Sequence, residues 1–178
     1  MNTAADNVKL AEAPCTITSR VLSVPREGVW RASAEMLEVE AQRVPQLIDI
    51  TAHVQAAVRR SGVTQGQVVA YCTHTTASLV LNEDEPLLHE DIAEFLEKMA
   101  SSRASYRHDD LSIRTENLIE DHGDNGHAHL KQMVLGSVQV LPIVNSELTL
   151  GMWQRLFMLE MDRPKKRNLV LQVSGLTC

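Results

Sequence analysis

Alternating apolar and β-branched residues predict strands in the first half of the chain. Thr16–Val24 is rich in Thr, Ile and Val, and a second strand is expected around Met36 and Val39. The run VVAYCT at 68–73 predicts a buried strand that leads into CTHTTASLVLNE at 72–83. If that strand continues past its histidine, His74 and Thr76 face one way and Thr75 faces the other.

Two amphipathic stretches predict helices. The first begins at Asp49 or Thr51, either of which can cap a helix N-terminus, and ends before Gly62. The second begins at Pro86, a residue that suits the first helical turn. Its apolar stripe at helical spacing consists of Leu88, Ile92, Phe95, Leu96 and Met99. Residues 101–129, which follow the second predicted helix, are polar and predict a long loop. Loops of that length inside a compact domain are more often functional than not.

The C-terminal third predicts further strands. Residues 137–144 and 148–162 flank the turn Asn145-Ser146-Glu147 and are expected to form a hairpin, and 167–175 predicts another strand. Both faces of the 148–162 strand are apolar, so it should be covered on both sides. The order of elements indicates an α+β fold with a mostly antiparallel sheet and two helices.

Composition narrows the class of protein. The 178 residues are 44% hydrophobic and fit a single domain. A net charge of −6 argues against a nucleic-acid partner, which needs a basic face. Three scattered cysteines without a CxxC pair, and the lack of a long apolar run, indicate a soluble cytoplasmic protein with no membrane contact.

Histidine is the residue type that could carry chemistry. His127 and His129 would share a face if their segment were extended, and His74 and His108 could join them at a metal ion. The alternative is a set of solvated loop histidines, and for His74 a hydrogen-bonded core residue. Glu83 could be a general base, a partner of a metal-bound histidine, or an exposed loop acid.

Several segments in one order and spacing resemble a known family, the YjbQ-like family, also called the secondary thiamine-phosphate synthases. These segments are HTTASLVLNE (74–83), YRH (106–108), NGHAHLKQMVLG (125–136), LGMWQ (150–154) and LEMDRPKKR (159–167). The resemblance covers about residues 34–175. It divides the chain into a partly mobile N-terminal extension, 1–33, and a single YjbQ-like domain, 34–178.

The resemblance also implies an architecture and an activity. The expected fold is a mostly antiparallel sheet closing into a barrel-like shape with a helix cap, assembled as a homotrimer with sites between subunits. The expected activity is the joining of a pyrimidine diphosphate to a thiazole phosphate, as a possible weak side activity. Two alternatives stay open: a metal-dependent hydrolase of a small phosphate or ester, and a non-catalytic trimer that binds a phosphorylated metabolite.

Residue roles follow from the same resemblance. The implied catalytic residues are His74, Glu83, His108 and His129, and the three histidines are also the implied metal ligands. The implied phosphate-binding and ligand-binding residues are Thr75, Thr76, Asn125 and Gln154. Zinc or magnesium is the expected ion, although magnesium prefers oxygen ligands to imidazole. No organic cofactor is expected.

Overall fold

This computed structural model describes residues 27–118 and 123–177 of the chain. These residues contain eight strands and three helices, joined by loops. The helices are α1 (Thr51–Ser61), α2 (Pro86–Met99) and α3 (Gly126–Leu135). The strands are β1 (Val29–Glu40), β2 (Gln46–Asp49), β3 (Gln65–Cys72), β4 (Ala77–Glu83), β5 (Val138–Val144), β6 (Glu147–Leu148), β7 (Gln154–Glu160) and β8 (Lys166–Thr177).

The strands form two antiparallel sheets. The larger has the order β1-β8-β3-β5-β6 and the smaller has the order β2-β7-β4. Together they curl into a half-barrel, so the predicted α+β fold is confirmed. The curl brings the end of β3, the start of β4 and the start of β8 to one edge, where Thr73 meets Asn168.

The main core lies between the two sheets and α1. Strand alternation turns Val68, Ala70 and Cys72 of β3 inward, and Leu169 and Leu171 of β8 join them. Each fully buried side chain of Val or Leu size contributes about 1.5–3 kcal/mol. In β7 the residues from Leu156 onward are buried on both faces, as the apolar pattern predicted.

The boundaries of the two predicted helices, α1 and α2, agree with the predictions except at one cap. Gly62 ends α1 in the left-handed conformation at φ +69°, and Pro86 begins α2. Neither Asp49 nor Thr51 is the N-cap of α1, because Ile50 occupies that position without a side-chain cap. The Asp49 carboxylate instead accepts a hydrogen bond from the Thr51 N–H at 2.8 Å.

The predicted hairpin between 137–144 and 148–162 is wrong in most of its length. On the side of the predicted hairpin β5 pairs with just the two residues of β6, after a turn in which Asn145 and Ser146 have positive φ, and its other edge pairs with β3. The chain then turns again at Gly151, whose N–H is held by the Gln154 side chain at 2.8 Å. β7 consequently enters the other sheet and lies between β2 and β4.

The ends of the domain differ from the sequence expectations in one respect. β1 begins at Val29 and pairs with β8 along its whole length, so residues 29–33 of the expected N-terminal extension belong to the larger sheet. The strand predicted at Thr16–Val24 lies outside the described residues. The helix α3 was not predicted, because residues 101–129 were expected to form a loop in which His127 and His129 would share a face if extended.

Candidate anion-binding site

The His74 segment is a loop and not the continuation of a strand. β3 ends at Cys72 and β4 begins at Ala77, so the alternation predicted for His74, Thr75 and Thr76 does not apply. Freed from the sheet, all three side chains line the same cavity. Cys72, the last residue of the strand, points into the core.

Asn168 at the start of β8 fixes this loop. Its carbonyl accepts hydrogen bonds from the Thr73 N–H at 3.2 Å and from the Thr73 hydroxyl at 2.9 Å. Its N–H donates to Nε2 of His74 at 2.9 Å. Because Nε2 is the acceptor, a neutral His74 carries its proton on Nδ1 and can donate it to a ligand.

The loop forms one wall of a cavity of about 500 Å³. Six of the residues predicted for the site line it together: His74, Thr75, Thr76, His108, Asn125 and His129. Seven further residues complete the lining, and none of them was predicted to belong to a site: Thr73, Arg114, Asn117, Asp162, Arg163, Lys165 and Arg167. Four cations and one carboxylate give this lining a positive balance.

Two histidines from different elements meet at the opposite part of the lining. His108 in the loop after α2 and His129 in α3 have ring centroids 4.6 Å apart in an edge-on arrangement. Burial, and then the neighbouring His108, lower the pKa of His129. His129 is therefore neutral near pH 7 and can accept a hydrogen bond through an unprotonated nitrogen.

The start of α3 is already bound to a carboxylate. Asp109 Oδ1 accepts the N–H groups of Asn125 and Gly126 at 3.0 and 2.9 Å. A carboxylate there satisfies the end of the helix that would otherwise attract an anion. The same contact anchors the His108 loop beside His129.

His127 does not share a face with His129. The two residues are in the first turn of a helix, where a spacing of two places side chains on nearly opposite sides. His127 is buried against Tyr106, at 6.4 Å between ring centroids. Burial, and then the positive charge of Lys131, lower its pKa. It supports α3 and is no part of the cavity lining.

A buried ion pair underlies the threonine wall. Arg167 donates to both oxygens of Glu160, whose side chain is fully buried. The same guanidinium donates to the Thr76 hydroxyl oxygen at 3.0 Å. Because this oxygen accepts from Arg167, the hydroxyl proton of Thr76 remains available to a ligand.

The other cations have different surroundings. Arg114 donates to the carbonyls of His108, Glu116 and Asn117 at 3.1–3.2 Å and so holds the loop in shape. Arg163 pairs with Asp162 at 3.1 Å. The Lys165 side chain makes no hydrogen bond or ion pair with residues 27–118 and 123–177. Its charge is the one best placed to meet an anion.

Glu83 and Gln154 lie away from this cavity within one chain. They are register partners at the far ends of β4 and β7, whereas Ala77 and Glu160 are partners at the cavity end. Six residues of strand separate the two ends, roughly 20 Å. The neighbouring Trp153, also matched by the family motif, is 66% exposed. A catalytic role for Glu83 in this cavity would need a second subunit.

The histidines do not form a ready metal site in the described parts of the chain. No group of three His, Cys, Asp or Glu residues there is arranged to hold an ion. His108 and His129 are close, but Nε2 of His74 is engaged by Asn168. The metal role of these three histidines stays a prediction, and no chemical step is assigned to an ion below.

The lowered histidine pKa values predict a pH-dependent stability. His74, His127 and His129 all have a pKa below the ordinary value of 6.5 in the folded protein. The unfolded chain therefore binds more protons, and the free energy of unfolding should fall as the pH drops below about 6.5. Urea unfolding of metal-free protein between about pH 5 and pH 8 measures this. His129→Gln should reduce the slope, and a slope equal to that of the wild type would contradict the assignment.

The fold and the site together define an α+β protein with a cation-lined cavity at one edge of its curled sheet. The chain belongs to the family described as UPF0047 protein YjbQ-like, which it matches over residues 35–176. A UPF0047 protein of Archaeoglobus fulgidus is 39% identical over 132 residues, covering 74% of this chain and 93% of that protein. A relative from Methanothermobacter thermautotrophicus is 33% identical, covering 78% and 94%.

Solved structures show the same fold. A YbjQ-like protein of unknown function from Sulfolobus solfataricus superposes with a TM-score of 0.73 and 32% identity, covering 83% of this chain and 99% of that chain. A hypothetical protein from Aeropyrum pernix gives a TM-score of 0.71 and 34% identity, covering 80% and 98%. In the described residues, none of the helices has the length and apolar character needed to cross a membrane.

Proposed function

We propose that this protein is a transferase of the thiamine-phosphate synthase type, which joins a pyrimidine diphosphate to a thiazole phosphate in the cavity beside His74. The observation that carries the proposal is the cavity lining. Hydroxyl, imidazole and cationic donors from four separate segments converge on one space of about 500 Å³. Such donors stabilise the negative charge of phosphate oxygens.

The proposed reaction is a displacement at carbon. The thiazole nitrogen forms a bond to the methylene carbon of the pyrimidine, and the bond from that carbon to the diphosphate oxygen breaks. The electron pair of the broken bond leaves with pyrophosphate, and the nitrogen becomes positively charged in thiamine phosphate. Negative charge therefore grows on the departing pyrophosphate, and donors aimed at it lower the barrier.

The threonine wall and Lys165 are assigned to the pyrophosphate. Thr76 offers its hydroxyl proton because Arg167 already donates to its oxygen. Thr75 is exposed to the same space, and His74 offers its Nδ1 proton. Lys165 adds a positive charge, and a hydrogen bond to a charged group is worth about 1.5–3 kcal/mol.

His108 and His129 are assigned to the organic part of the substrates. The lowered pKa of His129 keeps its ring neutral, so it can accept a hydrogen bond from an amino group. Asn125, beside them in the lining, has its amide nitrogen directed to Asp162 at 3.3 Å. These groups orient the substrates and hold them close together, which is the larger part of catalysis when no proton must be transferred.

A homotrimer would complete the site. Four apolar side chains lie side by side across the outer face of the larger sheet. They belong to neighbouring strands and pair in the order Met36, Val170, Tyr71 and Val138. Met36 is 62% exposed and Tyr71 47% exposed, which is typical of a face that another subunit covers. In such an assembly Glu83 and Gln154 of one subunit would reach the cavity of the next. We also propose that the reaction takes place in the cytoplasm.

Paired variants of His74 test the proposal. His74→Gln keeps an acceptor for the Asn168 N–H and loses the Nδ1 proton, whereas His74→Asn keeps a donor near Nδ1. With both precursors and divalent ion supplied, thiamine phosphate should form, and His74→Gln should lower kcat about 10–100-fold. His74→Asn should lose less. Chromatographic product assays measure this.

The outcomes separate the proposed function from its alternatives. A chain that makes no thiamine phosphate, while an authentic thiamine-phosphate synthase does so in the same assay, is not this transferase. Pyrophosphate binding without product would identify a phosphometabolite-binding protein. A product rate that His74→Gln leaves unchanged would place the reaction outside this cavity.

A further inference from the structure

A second cavity lies on the other side of α3 from the His74 site. It has a volume of about 490 Å³ and shares no lining residue with the first. Pro45, Ala93 and Leu96 give it an apolar wall, and Lys131 and Arg103 bring positive charge. Nothing in the proposed transferase reaction uses it.

Lys131 is a buried cation with too few acceptors. Its side chain is only 7% exposed, and its closest carboxylate oxygen, on Glu97, is 4.0 Å away. The Glu97 oxygens already accept hydrogen bonds from Ser101 and Ser102 at 2.6–3.1 Å. The ammonium makes no hydrogen bond to any residue in 27–118 or 123–177. Burying such a group is costly unless an acceptor is supplied.

A second cation at the same cavity is also available. The Arg103 guanidinium makes no hydrogen bond or ion pair with the described residues, although its backbone N–H is held by the Ser101 hydroxyl at 3.2 Å. A ligand oxygen at this cavity would thus meet one buried and one exposed cation. Helical spacing explains why the two cavities are separate: His129 and Lys131 are two residues apart on α3 and point to different sides.

We propose that this second cavity binds a small organic carboxylate, with its charged end at Lys131 and Arg103. The apolar wall of Pro45, Ala93 and Leu96 receives the hydrocarbon part of the ligand. A singly charged carboxylate fits better than a phosphate, because the Glu97 carboxylate lines the same space and repels a dianion. The ligand supplies a hydrogen-bond acceptor to the ammonium of the largely buried Lys131 side chain.

Benzoate is a suitable probe, because it combines one carboxylate with a compact apolar ring. In an amide NMR titration of the wild-type protein, benzoate should produce saturable shifts at Ala93, Leu96 and Lys131. The neutral analogue benzyl alcohol should not. Lys131→Met keeps the apolar stem and removes the charge, and it should raise the Kd about tenfold or more. Lys98→Met, at an exposed lysine paired with Glu94, should leave the Kd unchanged.

The wild-type titration keeps the test decisive even if Lys131→Met does not fold. Benzoate shifts confined to Thr75 and Thr76 would overturn the proposal, as would the absence of saturable shifts. Equal responses to benzoate and benzyl alcohol would overturn it too, because the carboxylate would then contribute nothing. None of these results depends on whether the His74 cavity makes thiamine phosphate.

Discussion

Replacing Arg167 by methionine should lower the free energy of unfolding by about 3–5 kcal/mol. Arg167 donates to both oxygens of Glu160, and both side chains are buried almost completely. Methionine fills much of the space of the arginine stem but leaves the Glu160 charge without its partner. An unpaired buried carboxylate is far costlier than the loss of one surface ion pair.

Urea unfolding at pH 7 measures this effect, and the next residue along the chain supplies the control. Lys166 is exposed and pairs with Glu38 at the surface, so Lys166→Met should leave stability nearly unchanged. Adding Glu160→Gln to Arg167→Met should recover part of the loss, because the amide oxygen can still accept the Met161 and Asp162 N–H groups. A variant Arg167→Met as stable as the wild type would show that the pair does not support the fold.

The second large effect concerns pyrophosphate binding. Lys165→Met should weaken it about 10–100-fold, since a hydrogen bond between charged partners is worth about 1.5–3 kcal/mol. Lys165 lines the cavity and its ammonium is not held by any of the residues that the structure describes. Because no other interaction would be broken, the loss should appear in affinity and not in stability.

Isothermal titration calorimetry with pyrophosphate measures the Kd of wild type and variants. Lys166→Met removes the same charge from the adjacent position, outside the cavity, and should bind pyrophosphate like the wild type. If the two methionine variants bind equally well, the effect of Lys165 is one of net charge and the cavity has no specific contact with it.

The sequence predicted the histidines and threonines of the site better than its cations. His74, Thr75, Thr76, His108 and His129 stand in motifs whose order and spacing identify the family, and the structure brings them around one cavity. Three of the four cations, Arg163, Lys165 and Arg167, come from LEMDRPKKR, a segment without a predicted role in the site, and the fourth, Arg114, comes from the predicted loop. The basic run directly after a buried strand could have indicated an anion site. Its position beside the cavity depends on the contact between the start of β8 and the His74 loop, which the local sequence does not show.

The errors in the fold prediction have a common physical origin. Period-two alternation was extended through Thr73–Thr76 and through 149–153, where the chain leaves the sheet. Hydrogen bonds that depend on distant residues, such as those from Asn168, make these segments turn. α3 was missed because His127 and Lys131 are buried, which blurs its apolar stripe. The hydrophobic pattern of a short segment does not show the hydrogen bonds that the segment makes with residues distant in the sequence.

The His74 cavity is proposed to bind phosphorylated substrates through its threonine wall. The most direct measurement is a crystal structure grown with pyrophosphate at a concentration well above its Kd. We expect pyrophosphate within hydrogen-bond distance of the Thr75 and Thr76 hydroxyls and the Lys165 ammonium, with the His74 ring held by Asn168 as it is here. Pyrophosphate bound elsewhere, with this cavity containing only water, would contradict the account.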